Sequence, residues 1–66
     1  MRIVKQDGTE TVLAFNMDEL ALLGNALNES LEAIEEWEFT TRMGATRAEV
    51  ESLLAALSNL LPPAGA

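Results

Sequence analysis

The sequence predicts a small α+β domain in which an N-terminal β-hairpin is followed by two α-helices, a ββαα order. Two short strand-like segments flank Asp7-Gly8, and two apolar stripes at helical spacing each follow a capping-box pattern. We expect residues 1–61 to form a single domain and the last residues, 62–66, to form a flexible tail.

The predicted strands are residues 2–6 and 9–15, and Asp7-Gly8 between them suits the positive φ angles of a two-residue type I′ turn. In that register the cross-strand pairs are Lys5–Glu10, Ile3–Val12 and Met1–Ala14. Both faces of the ribbon keep apolar residues, and an isolated two-stranded ribbon is marginal in water. We therefore expect helices to cover one face and a second copy of the chain to cover the other.

The first helix is predicted to begin after Asn16, with Glu19 completing the capping box. Its apolar stripe, which we assign to the core, consists of Leu20, Leu23, Leu27, Leu31 and Ile34. Within this helix Gly24 and Asn28 lie one turn apart, although glycine costs roughly 1 kcal/mol relative to alanine in a helix interior. Two interpretations remain open: close approach of another helix at Gly24 with Asn28 hydrogen-bonded across the contact, or a tolerated glycine beside solvated amides.

The second helix is predicted to begin at Thr46, with Glu49 in its capping box, and to end before Pro62. Gly44 is predicted to be a C-terminal cap or a turn residue for the segment before it. Its broad apolar face consists of Val50, Leu53, Leu54, Leu57, Leu60 and Leu61. Such a width can serve both the core and an interface between two copies. The dimer-interface candidates are Gly24, Asn28, Leu57 and Leu61.

Composition limits how the fold is stabilised. The chain has 66 residues with neither Cys nor His, and a domain of this size buries only about 60% of the surface of its unfolded chain. Disulfides and the usual zinc sites are excluded, so oligomerisation, most simply a homodimer, is the remaining common source of stability.

Charge narrows the class of partner. Eleven acidic residues against four basic ones give a formal net charge of −7, which opposes binding to nucleic acid and to anionic lipid and favours a basic protein partner. We find neither a signal peptide nor a membrane-spanning stretch, and expect a cytoplasmic protein. No P-loop, GxGxxG, HExxH or nucleophile–base pattern occurs, so we expect no enzyme, no catalytic residues, no cofactor and no bound metal.

The partner-binding candidates lie at the junction between the predicted helices. They are Glu29, Glu32, Glu36, Trp37 and Arg42. The glutamates, with Glu35, form either a docking surface for a basic partner or a solvated face, and the solvated face is the simpler interpretation. Trp37 and Phe39 are interpreted first as fillers of the gap between hairpin and helices; the alternative is that an exposed Trp37 anchors a partner.

The basic residues near this junction also have two interpretations. Arg42 and Arg47 flank Gly44, where free N–H groups at the start of the second helix suit an anion. In so acidic a chain, pairing of an arginine with one of the nearby glutamates is the favoured interpretation.

The segments NALNES (25–30), WEFTTRMG (37–44) and EVESLL (49–54) resemble a group of short bacterial proteins of uncharacterised function. These share an Asn-Ala-Leu-Asn-Glu run, an aromatic-Glu-Phe-x-Thr-Arg-x-Gly segment and a closing helix. The resemblance implies a compact bacterial module with residues 37–44 as its hallmark.

The segment Gly44-Ala45-Thr46-Arg47-Ala48-Glu49 is similar to the opening of the second helix in ribbon-helix-helix regulators. That resemblance implies a strand-paired dimer that binds DNA. The chain departs from the pattern by having a hairpin in place of one strand and, in its ribbon, only Arg2 and Lys5 as basic groups.

These observations favour a dimeric module that acts by protein–protein contact, of an immunity, antitoxin or inhibitor type. A ribbon-helix-helix-like DNA-binding transcriptional regulator is the alternative, and a structural subunit of a larger assembly is a third class.

Overall fold

The computed structural model describes residues 1–61, so the predicted tail at 62–66 lies outside the described residues. The elements occur in the order β1 (Arg2–Gln6), β2 (Thr11–Ala14), α1 (Met17–Ala33), α2 (Glu36–Met43) and α3 (Arg47–Ser58). The α+β class and the hairpin-then-helices order are confirmed. The structure has three helices where two were predicted, because the junction between them is itself helical.

Helix α2 is a separate element because of the residues on either side of it. Ile34 and Glu35 have extended backbones, with φ/ψ of −94°/127° and −63°/146°, and so end α1 before α2 begins. At the other end Gly44 has a φ of 70° and its N–H donates to the Thr40 carbonyl. This left-handed cap is the helix-ending role predicted for Gly44.

Both predicted capping boxes are present. The Glu19 N–H donates to Asn16 Oδ1 at 2.8 Å, and the Asn16 N–H donates to Glu19 Oε1 at 2.9 Å. At α3 the Glu49 N–H donates to Thr46 Oγ1 at 3.2 Å, and the Thr46 N–H donates to Glu49 Oε1 at 2.9 Å. Each box satisfies N–H groups that a helix start otherwise leaves without partners.

Three carboxylates in local hydrogen-bond networks make the stability of the fold depend on pH. They are Asp7 in the hairpin turn and Glu19 and Glu49 in the two capping boxes. Hydrogen bonds from backbone N–H groups of Thr9 and Glu10 lower the pKa of Asp7, the N-terminal amine lowers that of Glu19, and the Thr46 N–H lowers that of Glu49. A lowered pKa means that folding favours the ionised form. The stabilisation is complete above the ordinary pKa values of 3.8 and 4.5 and is lost as pH falls through the lower folded values.

We therefore expect the urea midpoint of unfolding to decrease as pH falls below about 4.5, because the unfolded chain then binds more protons than the folded chain. Glu49→Gln keeps an acceptor at the capping position but cannot titrate, so its midpoint should fall less steeply over the same range. Parallel urea titrations of the two proteins across that range measure the difference. Identical slopes would contradict a contribution from Glu49.

The hairpin turn differs from the prediction. The Asp7 N–H donates to the Glu10 carbonyl, while Asp7 Oδ1 accepts bonds from the Thr9 N–H, the Thr9 hydroxyl and the Glu10 N–H at 2.8–2.9 Å. Gly8 does not have a positive φ, which a type I′ turn requires. The connection is therefore a longer turn organised by the Asp7 side chain.

The longer turn shifts the strand register. The observed pairs are Arg2–Ala14, Ile3–Leu13, Lys5–Val12 and Gln6–Thr11. The predicted pairs, including the Lys5–Glu10 ion pair, are wrong because they assumed a two-residue turn. Val4 has no partner in this register and forms a bulge in β1 between Ile3 and Lys5.

The ribbon stands apart from the helices. Neither strand packs against a helix in residues 1–61, where the packed pairs of elements are β1 with β2, α1 with α3, and α2 with α3. An ion pair between the N-terminal amine and Glu19 connects the start of the ribbon to α1. The expectation that helices cover one face of the ribbon is therefore wrong, and the molecule is flat, with principal extents of 39 × 36 × 15 Å.

The helices enclose a very small core. Among residues 1–61 only Phe39 and Val50 are buried, with 1% and 5% of their surfaces exposed. In the predicted α1 stripe, Leu20, Leu27, Leu31 and Ile34 are half-buried, while Leu23 lies at the exposed margin. The stripe does face α3, but a layer of three helices without a sheet behind it cannot enclose its side chains fully.

Candidate functional site

Trp37 and Phe39 lie on opposite sides of α2. Residues two positions apart on a helix differ by about 200° around its axis, so only one of the two aromatic rings can face the core. Phe39 faces the core and is 1% exposed, whereas Trp37 is 80% exposed. The prediction of a core role is confirmed for Phe39 and wrong for Trp37, which has the exposure required by the alternative interpretation as an anchor.

Trp37 borders a shallow recess on the outer side of α2. The recess has a volume of about 390 Å³ and is lined by Trp37, Glu38, Thr41 and Arg42, which we call the Trp37 surface. Arg42 donates to Glu38 Oε1 from Nε at 3.2 Å and from Nη2 at 3.1 Å. This pair spans one turn of helix, so the recess offers charged, hydrogen-bonding groups as well as the apolar ring of Trp37.

The predicted pairing of an arginine with a nearby glutamate is observed, and it occurs at both arginines. Arg42 pairs with Glu38, and Arg47 Nε donates to Glu36 Oε2 at 2.6 Å. Arg47 makes further contacts: Nη1 donates to the Leu31 carbonyl at 2.6 Å, Nη2 donates to the Ile34 carbonyl at 3.1 Å, and Cζ lies 4.5 Å from the centroid of the Phe39 ring.

Arg47 therefore links the ends of all three helices. It is the first residue of α3, it binds two carbonyls at the C-terminus of α1, and it pairs with the first residue of α2. Helix C-termini leave carbonyls unsatisfied and favour a cation, and α1 has no basic residue in its own last turn. Arg47 supplies that cation from another helix and so fixes the orientation of α2 and of Trp37.

Sequence reasoning missed these carbonyl contacts, although one signal was present. A helix start favours an acidic residue, yet Arg47 occupies the first position of α3. A charge placed against its local preference indicates a partner elsewhere in the fold. The sequence cannot name that partner, because Leu31 and Ile34 are 16 and 13 residues away along the chain.

The predicted glutamates do not form one site. Glu36 is engaged by Arg47, and Glu29 and Glu32 are exposed on α1 and do not line the Trp37 surface. Of the predicted partner-binding residues, the structure places Trp37 and Arg42 in one recess. The glutamate that lines this recess with them is Glu38, which was not among the predicted residues.

The helix that approaches Gly24 belongs to the same chain. A Cβ built at Gly24 would lie 3.9 Å from Leu54 Cδ1 of α3, an ordinary contact distance. Gly24, Asn28 and Leu61 line a recess of about 260 Å³ between α1 and α3, and Leu57 is half-buried on α3. There is room for a Cβ at Gly24, and Asn28 is exposed and makes no side-chain hydrogen bond within residues 1–61, so within the chain the tolerated glycine beside solvated amides is the interpretation that fits. A role for these residues between two chains stays a prediction.

We expect Gly24→Ala to stabilise the protein. The added methyl meets only Leu54 at 3.9 Å, and alanine is favoured over glycine in a helix interior by roughly 0.5–1 kcal/mol. Thermal unfolding followed by circular dichroism should show a melting temperature higher by about 4–8 °C per kcal/mol. Ala26→Gly, at an exposed position of the same helix, is the matched reverse change. A lower melting temperature for Gly24→Ala would show that α1 and α3 pack more closely there than the structure indicates.

Within residues 1–61 no group of three or more acidic side chains is placed to hold a metal ion, and no described helix has the length and apolarity to cross a membrane. Comparison with protein-family models, with curated proteins and with solved structures gave no significant match to this chain.

Proposed function

We propose that the protein is a small acidic interaction module, without catalytic activity, that binds a basic protein through the Trp37 surface. The observation that carries the proposal is the 80% exposure of Trp37 on a helix whose orientation is fixed from behind by Phe39 and Arg47. Tryptophan and arginine are the residues most enriched among binding hot spots. Their adjacency on a fixed helix gives a partner both apolar area and hydrogen-bonding groups.

The charge of the helical part favours a basic partner. All of the formal net charge of −7 lies in residues 16–66, because Arg2 and Lys5 balance Asp7 and Glu10 in the ribbon. A negative surface of this kind accelerates encounter with a positively charged protein and repels acidic ones. An immunity, antitoxin or inhibitor role in the bacterial cytoplasm is the class of function that fits a small acidic protein of this kind.

Affinity capture from the source cells, followed by mass spectrometry, tests the proposal when two variants are compared with the wild type. Trp37→Ala should lose the partner, whereas Leu22→Ala, which removes a 69% exposed apolar side chain from α1, should retain it. With the purified partner, Trp37→Ala should weaken binding by at least roughly 30-fold, the loss typical of a hot spot. Binding should also weaken with salt. Capture of no protein at any salt concentration, or equal capture by both variants, would refute the proposal.

The alternative function is DNA binding by the ribbon. No helix packs against the ribbon within residues 1–61. In the same range Arg2 and Lys5 have no carboxylate partner, so their charges are available to phosphate groups, and these two observations favour the alternative. A gel shift with the DNA upstream of the protein's own coding region distinguishes the two functions. A specific, salt-sensitive shift that is lost in Arg2→Ala would replace the protein-binding proposal.

A further inference from the structure

The ribbon and the helical part carry different charges. Residues 1–15 are neutral in their side chains, while residues 16–66 carry nine acidic residues against Arg42 and Arg47. Two copies that met through their helices would bring like charges together at short range. Two copies that met through their ribbons would avoid that repulsion.

The two edges of the ribbon also differ. The β1 edge carries Arg2, Lys5 and the bulge at Val4, which are features that prevent further strands from pairing. The β2 strand, Thr11–Ala14, has no charged residue, no proline and no bulge. Within residues 1–61 the backbone of β2 makes no hydrogen bonds beyond its ladder with β1. The β2 edge is thus left open to another strand.

We infer that the β2 edge pairs with the β2 edge of a second copy, forming a four-stranded antiparallel sheet in the order β1, β2, β2 and β1. The ribbon packs on no helix of its own chain, and three or more strands are needed for a sheet to be stable by itself. Pairing at β2 supplies the missing strands and satisfies the open backbone groups at the same time.

The residues of β2 are compatible with two-fold symmetry. A two-fold axis perpendicular to the sheet pairs residues that point to the same face, so the axis passes at either Val12 or Leu13. In the first case Thr11 lies opposite Leu13 of the second copy, and in the second case Val12 lies opposite Ala14. Either register brings together only uncharged residues of β2.

This interface differs from the one predicted from the sequence at Gly24, Asn28, Leu57 and Leu61. Gly24 faces Leu54 of its own chain, with room for a Cβ between them, and Leu57 and Leu61 are half-buried. The β2 edge, by contrast, has no neighbour within the described part of the chain. The inference is independent of the Trp37 surface, which lies on α2.

Sedimentation equilibrium of the full chain, from low micromolar to sub-millimolar concentrations, tests the inference with a matched pair of variants. Leu13 and Ile3 are cross-strand partners, so they lie on the same face of the ribbon and differ in the edge to which they belong. We expect Leu13→Lys to raise the dimer dissociation constant at least about tenfold, because the two lysines lie directly opposite each other if the axis passes at Leu13 and diagonally opposite if it passes at Val12. Ile3→Lys should leave it nearly unchanged.

A charge-swap experiment distinguishes broken pairing from misfolding. Leu13→Lys and Leu13→Glu should each be monomeric with the helical circular dichroism of the wild type, and a mixture of the two should form a dimer, because opposite charges then lie directly or diagonally opposite each other. Hydrogen exchange of the wild type gives an independent measurement. Backbone amides of Thr11–Ala14 should become more protected as concentration rises, while the outer edge of β1 should not.

Several results would overturn the inference. A wild type that is monomeric at every concentration would do so, as would a dimer that Leu13→Lys leaves intact. Equal disruption by Ile3→Lys would indicate packing through the face of the ribbon and not through its edge. The Trp37→Ala variant should dimerise like the wild type, because Trp37 lies on α2 and not on the ribbon. Dimerisation and partner binding can therefore fail independently of each other.

Discussion

Phe39→Ala is expected to remove most of the stability of the fold. Phe39 is the largest buried side chain in residues 1–61 and one of only two buried residues there. Replacing a buried phenylalanine by alanine costs about 3–5 kcal/mol. At about 0.05–0.15 kcal/mol per residue, a chain of 66 residues has about 3–10 kcal/mol of stability in total. With only two buried residues in residues 1–61, we expect this chain to lie near the lower end of that range, so the variant should be largely unfolded at room temperature.

Trp37→Ala is the matched control for Phe39→Ala, since it removes an aromatic ring from the same helix. Because Trp37 is 80% exposed, its loss should change the free energy of unfolding by no more than about 0.5 kcal/mol. Urea unfolding followed by far-ultraviolet circular dichroism measures both variants. Phe39→Leu, which keeps an apolar side chain, should remain folded at a cost of about 1–1.5 kcal/mol. Equal stability of Phe39→Ala and Trp37→Ala would contradict the observed orientation of α2.

The second large effect is expected at Arg47. Arg47→Ala leaves the Leu31 and Ile34 carbonyls and the Glu36 carboxylate without their donor. Hydrogen bonds to charged groups contribute about 1.5–3 kcal/mol each, and water partly replaces them at this half-buried position, so we expect a total loss of about 2–3 kcal/mol. Arg42→Ala, which breaks the exposed pair with Glu38, should cost less than about 1 kcal/mol.

Salt dependence separates the two kinds of contact that Arg47 makes. At an ionic strength of about 1 M the Debye length falls to about 3 Å, so the pair with the exposed Glu36 should contribute little. The bonds to the carbonyls persist, because they depend on the donor geometry of the guanidinium. Arg47→Lys keeps the charge without the planar fork and should be intermediate in stability. A loss of stability that disappears entirely at high salt would show that Glu36, and not the end of α1, is the important partner.

Substitution of Arg47 should also affect partner binding at the Trp37 surface. Arg47 lies behind α2 and does not line the Trp37 surface. If its role is to orient α2, Arg47→Lys should weaken partner binding at conditions where the protein is fully folded, although Arg47 itself touches no partner. Calorimetric titration of the folded variant with the purified partner measures that effect.

The features that were predicted correctly depend on residues close together in the chain. Both capping boxes join residues three positions apart, and the Gly44 cap ends the helix immediately before it. The hairpin was placed correctly, but its turn and register were not. The Asp7 side chain replaced the expected type I′ turn by binding Thr9 and Glu10, a competing local interaction that the Asp7-Gly8 pair alone does not reveal.

The candidate site was predicted less well. Trp37 and Arg42 were among the candidates and do line one recess, but the inward orientation of Trp37 was wrong. Glu38, which lines the recess, was not a candidate, whereas Glu29, Glu32 and Glu36 were candidates and do not line it. The extra helix explains these differences, because a helical segment must direct Trp37 away from the core once Phe39 faces it. The prediction did not treat the junction as a helix, and without helical geometry nothing requires Trp37 and Phe39 to point in different directions.

Local patterns in this sequence are enough to establish a hairpin and the starts of two helices, and the composition gives a strongly acidic chain. The packing of the helices decides what Arg47 binds, which aromatic ring is exposed and which helix lies against Gly24. The physical reason is the separation of the interacting groups along the chain. Caps and turns are formed by groups that the backbone already holds within a few residues of one another. The contacts of Arg47 and the packing around Phe39 and Gly24 exist only after separate helices have been brought together.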